Sequence, residues 1–208
     1  ARQFADFLKR SGVSVWQVLP IGPTGYGESP YQSTSTFAGN PLFISVNELI
    51  SQGIFSGNDL PEKPDTGDPS KVDYEKVREY KDTCLRICFS ECRDKLKDKM
   101  NQFCVNHDWV RDFALFTAVK KHFGEIMWTK WPDEGIRFRE KEAVVRYTEM
   151  LKDEIEFRIF EQYLFDLQWN ELKTYCNNLG IRIFGDIPIY VAEDSADTWT
   201  HPEIFQLD

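Results

Sequence analysis

No apolar run in the 208-residue chain approaches the roughly 20 residues a helix needs to cross a bilayer, and the N-terminal stretch lacks the basic-then-apolar build of a secretory leader. Positive charge is in short supply: 25 Lys and Arg stand against 34 Asp and Glu, a formal net charge of −9. Nucleic-acid binders displace counterions with clustered Lys and Arg, so this balance argues against a nucleic-acid partner and, similarly, against an anionic membrane. Paired CxxC motifs are missing, and no repeat is short enough to indicate a solenoid. What remains is a globular composition long enough for a sizeable core, expected in a cytoplasmic compartment.

The five cysteines are an odd number. Cys84, Cys88 and Cys92 recur every four residues, which sets them on one helical face with Tyr80, Leu96 and Met100. A metal site with His107 as fourth ligand is the alternative, but thiols in an apolar stripe read as a buried, reduced set suited to a reducing cytosol. No metal is expected.

Taken in order, Arg2 to Arg10 carries apolar residues at helical spacing and stops at Ser11-Gly12, after which Val13 to Leu19 reads as a strand. This helix, glycine, strand unit suits a parallel α/β architecture, and with no strand before the first helix the chain is expected to begin inside a repeat unit. Pro41 to Gln52 reads as an extended piece and a helical turn ending at Gly53. Gly57 to Pro69 is a linker by composition. Four helical candidates follow at 74–105, 109–123, 139–152 and 156–179, interrupted by WTKWP at Trp128 to Pro132. The last of them ends at Asn178-Leu179-Gly180 and runs into a strand at Ile181, repeating the first unit.

Two segments carry candidate chemistry. The first, IGPTGYGESPYQSTSTFAGNP, is a long loop at the C-terminal end of the first strand. Tyr26 and Tyr31 offer apolar ring faces to sugar C–H bonds, and Glu28, Ser29 and Gln32 offer hydrogen-bonding groups beside them; alternatively both rings pack the loop onto the fold. The second, IRIFGDIPIYVAEDSADTW, places Asp186 after Gly185 at the tip of the other strand. In an α/β barrel such a carboxylate points into the catalytic face. Capping of the following turn is the competing reading, and the pattern alone leaves both open. Asp194 and Asp197 are expected to cap the turn or helix that follows.

Across almost its whole length the chain resembles the amylomaltase family, the 4-α-glucanotransferases or disproportionating enzymes of the α-amylase superfamily. The segments that carry the resemblance are WQVLPIGPTGYGESPYQSTSTFAGNP, DFALFTAVKKHFG with WTKWP, and FEQYLFDLQWNELKTYCNNLGIRIFGDIPIYVAEDSADTW. It implies an α/β fold, a partial (β/α)8 TIM barrel with a large α-helical insertion subdomain. The expected division is residues 1–57 (helix, second strand, substrate loop), 58–155 (helical insertion) and 156–208 (helix, third strand, following loop).

The resemblance further implies a retaining transferase of α-1,4-glucan segments between malto-oligosaccharides, needing no cofactor and placed in the cytoplasm or a plastid stroma. Tyr31 would stack near the sugar, Tyr26 would belong to a glucan-binding surface with Ser29 and Gln32 nearby, and Asp186 would support the reacting glucose without being the nucleophile. The family's RIDHFRG-like nucleophile segment and its acid/base are absent, so the chain is expected to be a fragment that is inactive alone. The alternative is a non-catalytic glucan-binding or scaffold piece, and a hydrolytic α-amylase ranks lowest because the GYGESPYQS loop does not suit it. Self-association through open barrel edges is a further expectation.

Overall fold

The computed structural model describes residues 1–206 apart from Thr66 and Pro69, and for Tyr26 the backbone alone. Helix α1 (Arg2–Arg10) ends in Ser11, and Gly12 at φ 73 turns the chain into strand β1 (Val15–Gln17). Far along the sequence, helix α7 (Lys152–Asn178) reaches Gly180 at φ 78 and turns into strand β2 (Arg182–Phe184). Only glycine enters the left-handed region without a Cβ penalty, so the two turns are the same device used twice. The strands pair in parallel, Val15 with Arg182, Trp16 with Ile183 and Gln17 with Phe184.

Alternation then decides which residues are covered. Trp16 and Ile183 face the helices, packing on a small core of Ala5, Leu8, Cys176 and Ile181. Val15 and Phe184 point the other way, and Phe184 is 61% exposed. The first strand is shorter than the expected span from Val13 to Leu19, because regular pairing runs only along β2; one bond at each end extends it, from the Arg182 amide to the Ser14 carbonyl and from the Val18 amide to the Phe184 carbonyl, both at 2.9 Å.

Between the two units lies a mostly helical stretch: α2 (Val46–Ser51), α3 (Tyr74–Asn106), α4 (Trp109–His122), α5 (Glu134–Arg137) and α6 (Lys141–Met150). Ser45 caps α2 by accepting from the Glu48 amide at 3.2 Å, and Asp73 caps α3 by accepting from the Lys76 amide at 3.2 Å. On α3, Cys84, Cys88, Cys92, Leu96 and Met100 are buried along one face, as the four-residue spacing implies. They join Phe89, Phe116, Phe157, Phe160 and Leu164 in a single large core that also takes in Trp131 and Trp199.

The helix expected over 139–152 is divided differently. Arg139 sits at φ 56 between α5 and α6, and a break at Leu151 lets α7 begin four residues earlier than its pattern suggested. After β2 the chain closes with α8 (Ala196–Thr200), capped by Ser195 through the Thr198 amide at 3.3 Å. The expectation that Asp194 or Asp197 makes this cap is corrected: both carboxylates are drawn to groups on other segments. No described helix is long and apolar enough to cross a membrane.

Candidate functional site

Because β1 and β2 are parallel and in register, the loops that follow them leave the same edge of the sheet. The loop after β1 is closed on itself by an antiparallel bridge between Thr24 and Ser33 and by the Gly25 amide, which donates to the Gln32 carbonyl at 2.6 Å. Gly25 has no freedom to be anything larger, since a Cβ there would lie 2.6 Å from that carbonyl oxygen. Within the turn the Gln32 amide donates to the Ser29 carbonyl at 3.1 Å and the Tyr31 amide to the Ser29 hydroxyl at 3.3 Å.

This brace carries Tyr31 across to the other loop. Its phenol donates to Asp186 Oδ2 at 2.8 Å, joining residues 155 apart in sequence, while Asp186 Oδ1 accepts from the Ile187 amide at 2.8 Å. The hydrogen bond to the carboxylate, followed by a small desolvation, raises the Tyr31 pKa above the usual phenol value, so the proton stays on the tyrosine. Both groups remain open to solvent, with Tyr31 46% exposed.

Four of the expected positions can be placed. Tyr31 and Asp186 meet. Ser29 and Gln32 sit on the same turn as Tyr31, and among the described residues no hydrogen bond joins either to Asp186. The Tyr26 side chain lies outside the described residues. Glu28, expected to offer its carboxylate beside the rings, is instead bound to Arg78 of α3, whose Nε donates to Oε1 at 3.3 Å and whose Nη2 lies against Oε2; Thr24 donates to Oε2 at 2.7 Å. Burial alone would push this carboxyl up, but the hydrogen bonds from Arg78 and Thr24 outweigh it and hold Glu28 below the ordinary glutamate value.

Beside Asp186 opens a cavity of about 240 Å³ lined by Phe37, Gly39, Trp109, Gln162, Phe165 and Asp186 among others. Its walls come partly from the loops after β1 and β2 and partly from α3, α4 and α7, segments the sequence pattern treats as helix core. Phe37 and Trp109 stack at 6.2 Å with planes 21° apart, and Phe165 and Trp169, one helical turn apart, stack at 6.5 Å. Phe37 could have been suspected as a third aromatic in the same loop; Trp109, Phe165 and Trp169 carry no local signal that separates them from buried helix residues.

The rest of the site region is anchored from outside it. Asp197 accepts from the Thr36 amide at 2.9 Å and the Thr36 hydroxyl at 2.8 Å, and Asp194 pairs with Lys120 and accepts from the Trp128 amide at 3.2 Å. Both carboxylates therefore fasten loops to helices. Among the described residues no group of three or more His, Cys, Asp or Glu is placed to hold a metal ion.

A carboxylate and a phenol thus meet at paired strand tips beside an aromatic-walled cavity. The family model described as 4-alpha-glucanotransferase matches residues 1–208. A 4-alpha-glucanotransferase of Streptococcus pneumoniae serotype 4 is 42% identical over 211 residues, covering 100% of this chain and 42% of that protein. The chloroplastic/amyloplastic 4-alpha-glucanotransferase of Solanum tuberosum is 35% identical over 220 residues, covering 100% of this chain and 37% of its own length. Among solved structures, the amylomaltase of Streptococcus agalactiae in complex with acarbose superposes with a TM-score of 0.90 at 37% identity, covering 99% of this chain and 42% of that one. The chain thus spans about two fifths of the length of these relatives. With a family model that spans the chain from end to end and relatives this similar throughout, the chain belongs to the 4-alpha-glucanotransferase family.

Proposed function

We propose that this chain supplies the glucan-binding strand tips of a 4-α-glucanotransferase, which transfers α-1,4-glucan segments between malto-oligosaccharides by a retaining double displacement. In this reading β1 and β2 are the second and third strands of a (β/α)8 barrel and residues 58–155 are a helical insertion between segments 1–57 and 156–208. The observation that carries it is the 2.8 Å hydrogen bond from Tyr31 to Asp186, which places a stacking surface and a sugar-hydroxyl acceptor in one cleft. The partner is a malto-oligosaccharide, and the compartment is the cytoplasm or a plastid stroma.

Retaining chemistry needs a nucleophilic carboxylate and a carboxylic acid/base about 5–5.5 Å apart. Of the acidic groups near the cleft, Glu28 is engaged by Arg78, Asp194 by Lys120 and Asp197 by Thr36, while Asp166 lines the cavity with Asp186. In this reading the chain's own work is to bind and orient. The Tyr31 ring covers one face of a glucosyl unit, Asp186 accepts from its hydroxyls, and the braced loop excludes water so that an acceptor hydroxyl, rather than water, completes the transfer. Self-association through the open edges of the two-stranded sheet accompanies this reading.

The test has two arms. Incubated alone with maltotriose, the 208-residue chain should release neither glucose nor longer chains on thin-layer chromatography; a ladder of products would show that it carries its own catalytic pair. In the full-length transferase carrying this segment, Tyr31→Ala and Asp186→Asn should each weaken turnover of maltotriose, and unchanged kinetics in both would remove the sugar cleft from these residues.

A further inference from the structure

The turn that delivers Tyr31 is held in a conformation its own sequence does not favour. Gly27 at φ 68 is followed by Glu28 at φ 57, so a residue with a side chain occupies the left-handed region directly after a glycine that does so freely. Such a residue persists where its surroundings over-determine it, and here the determinant is visible. The Glu28 carboxylate faces the Arg78 guanidinium with both oxygens, and Thr24 closes the arrangement by donating to Glu28 at 2.7 Å while accepting from Arg78 Nη2 at 2.8 Å. Arg78 lies in the second turn of α3, fifty residues from Glu28 in sequence, whereas Tyr31 is three residues beyond it. A planar fork with fixed donor directions specifies a carboxylate's orientation as well as its distance, which a point charge does not.

We propose that Arg78 is a positioning residue for glucan recognition: its fork on Glu28 pins the left-handed turn at 27–28 to helix α3 and thereby sets the Tyr31 phenol against Asp186. The proposal rests on the glucan-binding reading of Tyr31 and adds to it a control point that lies outside the sugar cleft. The latch acts through the loop and not on the reacting atoms. Its loss leaves Tyr31 present but spread over more orientations, so the sugar is bound less well before any chemistry starts, and uniform binding is lost rather than transition-state stabilisation.

The experiment uses the full-length transferase carrying this segment, in wild-type form and as Arg78→Ala, Arg78→Lys, Glu28→Gln and the double variant Arg78→Ala with Glu28→Ala. Arg78→Ala should raise KM for maltotriose about three- to tenfold with kcat changed by less than about twofold. Lys in place of Arg should restore part of the affinity, and the double variant should be no worse than Arg78→Ala alone, since both remove the same latch. Glu28→Gln keeps the shape and one acceptor and should fall between.

A second readout is independent of turnover. In protein carrying tyrosine labelled at Cζ, the Tyr31 resonance, assigned by its loss in Tyr31→Phe, should move in Arg78→Ala toward its position in Asp186→Asn, while the other tyrosines stay put. A Tyr31 resonance and a KM both unchanged in Arg78→Ala overturn the proposal. If Tyr31→Ala itself leaves KM unchanged, the sugar role of Tyr31 fails, and the resonance shift then decides the latch by itself. Arg78 is substantially solvent-exposed, its side chain being 40% accessible, so its replacement leaves the core intact; an unchanged far-ultraviolet circular dichroism spectrum and melting midpoint check this.

Discussion

Gln162 holds the backbone of the site region through two buried hydrogen bonds, and replacing it by Leu tests what they contribute. From the buried face of α7 its amide oxygen accepts from the Gly39 amide at 2.8 Å, and its amide nitrogen donates to the Gly39 carbonyl at 3.0 Å. One side chain thus pairs both main-chain groups of a residue, as a neighbouring strand would. Six residues on, Gln168 treats Ser45 the same way, at 2.7 and 2.9 Å. Geometry and chemistry match; surroundings differ, because Gln162 is 2% exposed and the Ser45 pair is reached by water.

An unpartnered polar group in the interior costs about 1–3 kcal/mol, whereas a hydrogen bond that water can replace contributes about 0.5–1.5 kcal/mol. Gln162→Leu strands the Gly39 N–H and C=O together, for an expected loss of about 2–4 kcal/mol once the favourable burial of Leu is counted. Gln168→Leu should lose about 1 kcal/mol or less, since solvent takes over both groups. Urea unfolding followed by circular dichroism reads the difference as a shift in midpoint at constant slope. Equal midpoints for the two variants, within about 0.5 kcal/mol, would mean that burial does not set the cost and would refute the reasoning.

Gly39→Ala should destabilise by about 1–3 kcal/mol or more, because a Cβ there would lie 2.0 Å from the Phe165 ring, and the repacking should be visible as altered near-ultraviolet dichroism; a neutral result would show that Phe165 moves aside freely. Glu154 is drawn upward by burial and downward, more strongly, by Arg86, Arg158 and Lys121, so that its carboxyl titrates at about 2 instead of 4.5. A carboxyl lowered in the folded state adds stability above the unfolded value of 4.5 that is lost as pH falls toward 2, and Glu154→Gln should flatten this part of the acid-unfolding curve; parallel curves would contradict it. All five cysteines are buried and unpaired, and burial pushes the thiols of Cys88, Cys92, Cys104 and Cys176 up, so a thiol-specific disulfide reagent should react with the native protein only at the rate of unfolding; immediate release of even one equivalent would contradict this placement.

The parts of this architecture that were legible in the sequence are those written in a local code. Glycine after a helical run, at Gly12 and Gly180, announces a left-handed stop and a strand beyond it, and a cysteine every fourth residue announces one helical face. The break read between 152 and 156 falls at Leu151 instead, with neither Gly nor Pro nearby to fix its place. Arg139 takes a positive φ because distant groups hold it: its guanidinium stacks over Trp199 at 4.4 Å and pairs with Asp112 at 2.7 Å. The acidic residues of the site loops were misjudged for the same reason. A carboxylate beside Ser and Ala in DSAD reads as a cap, and nothing local reveals that Lys120, Trp128 or Thr36 will claim it first. The meeting of Tyr31 with Asp186 follows from the parallel order of two strands, but Trp109 and Phe165, which wall the adjoining cavity together with loop residues, are helical aromatics indistinguishable by spacing from core.

Strands of three residues cannot by themselves hold two long loops in register, so the precision of the cleft must come from elsewhere. The loop after β1 is fastened at Glu28 by α3, at Thr36 by Asp197 of α8, at Gly39 and Ser45 by α7, and at the Ile44 carbonyl by Lys81 of α3 at 2.6 Å. Each fastening is a charged or amide side chain gripping the loop backbone or the Glu28 carboxylate, and every one projects from a helix. The loop after β2 is fastened through its own Asp194, which pairs with Lys120 of α4 and accepts from the Trp128 amide. The helices α3, α4, α7 and α8 are therefore the frame in which the strand tips are set. Substitutions at α3 and α4 can retune how Tyr31 faces Asp186 while every residue that touches sugar is left as it was.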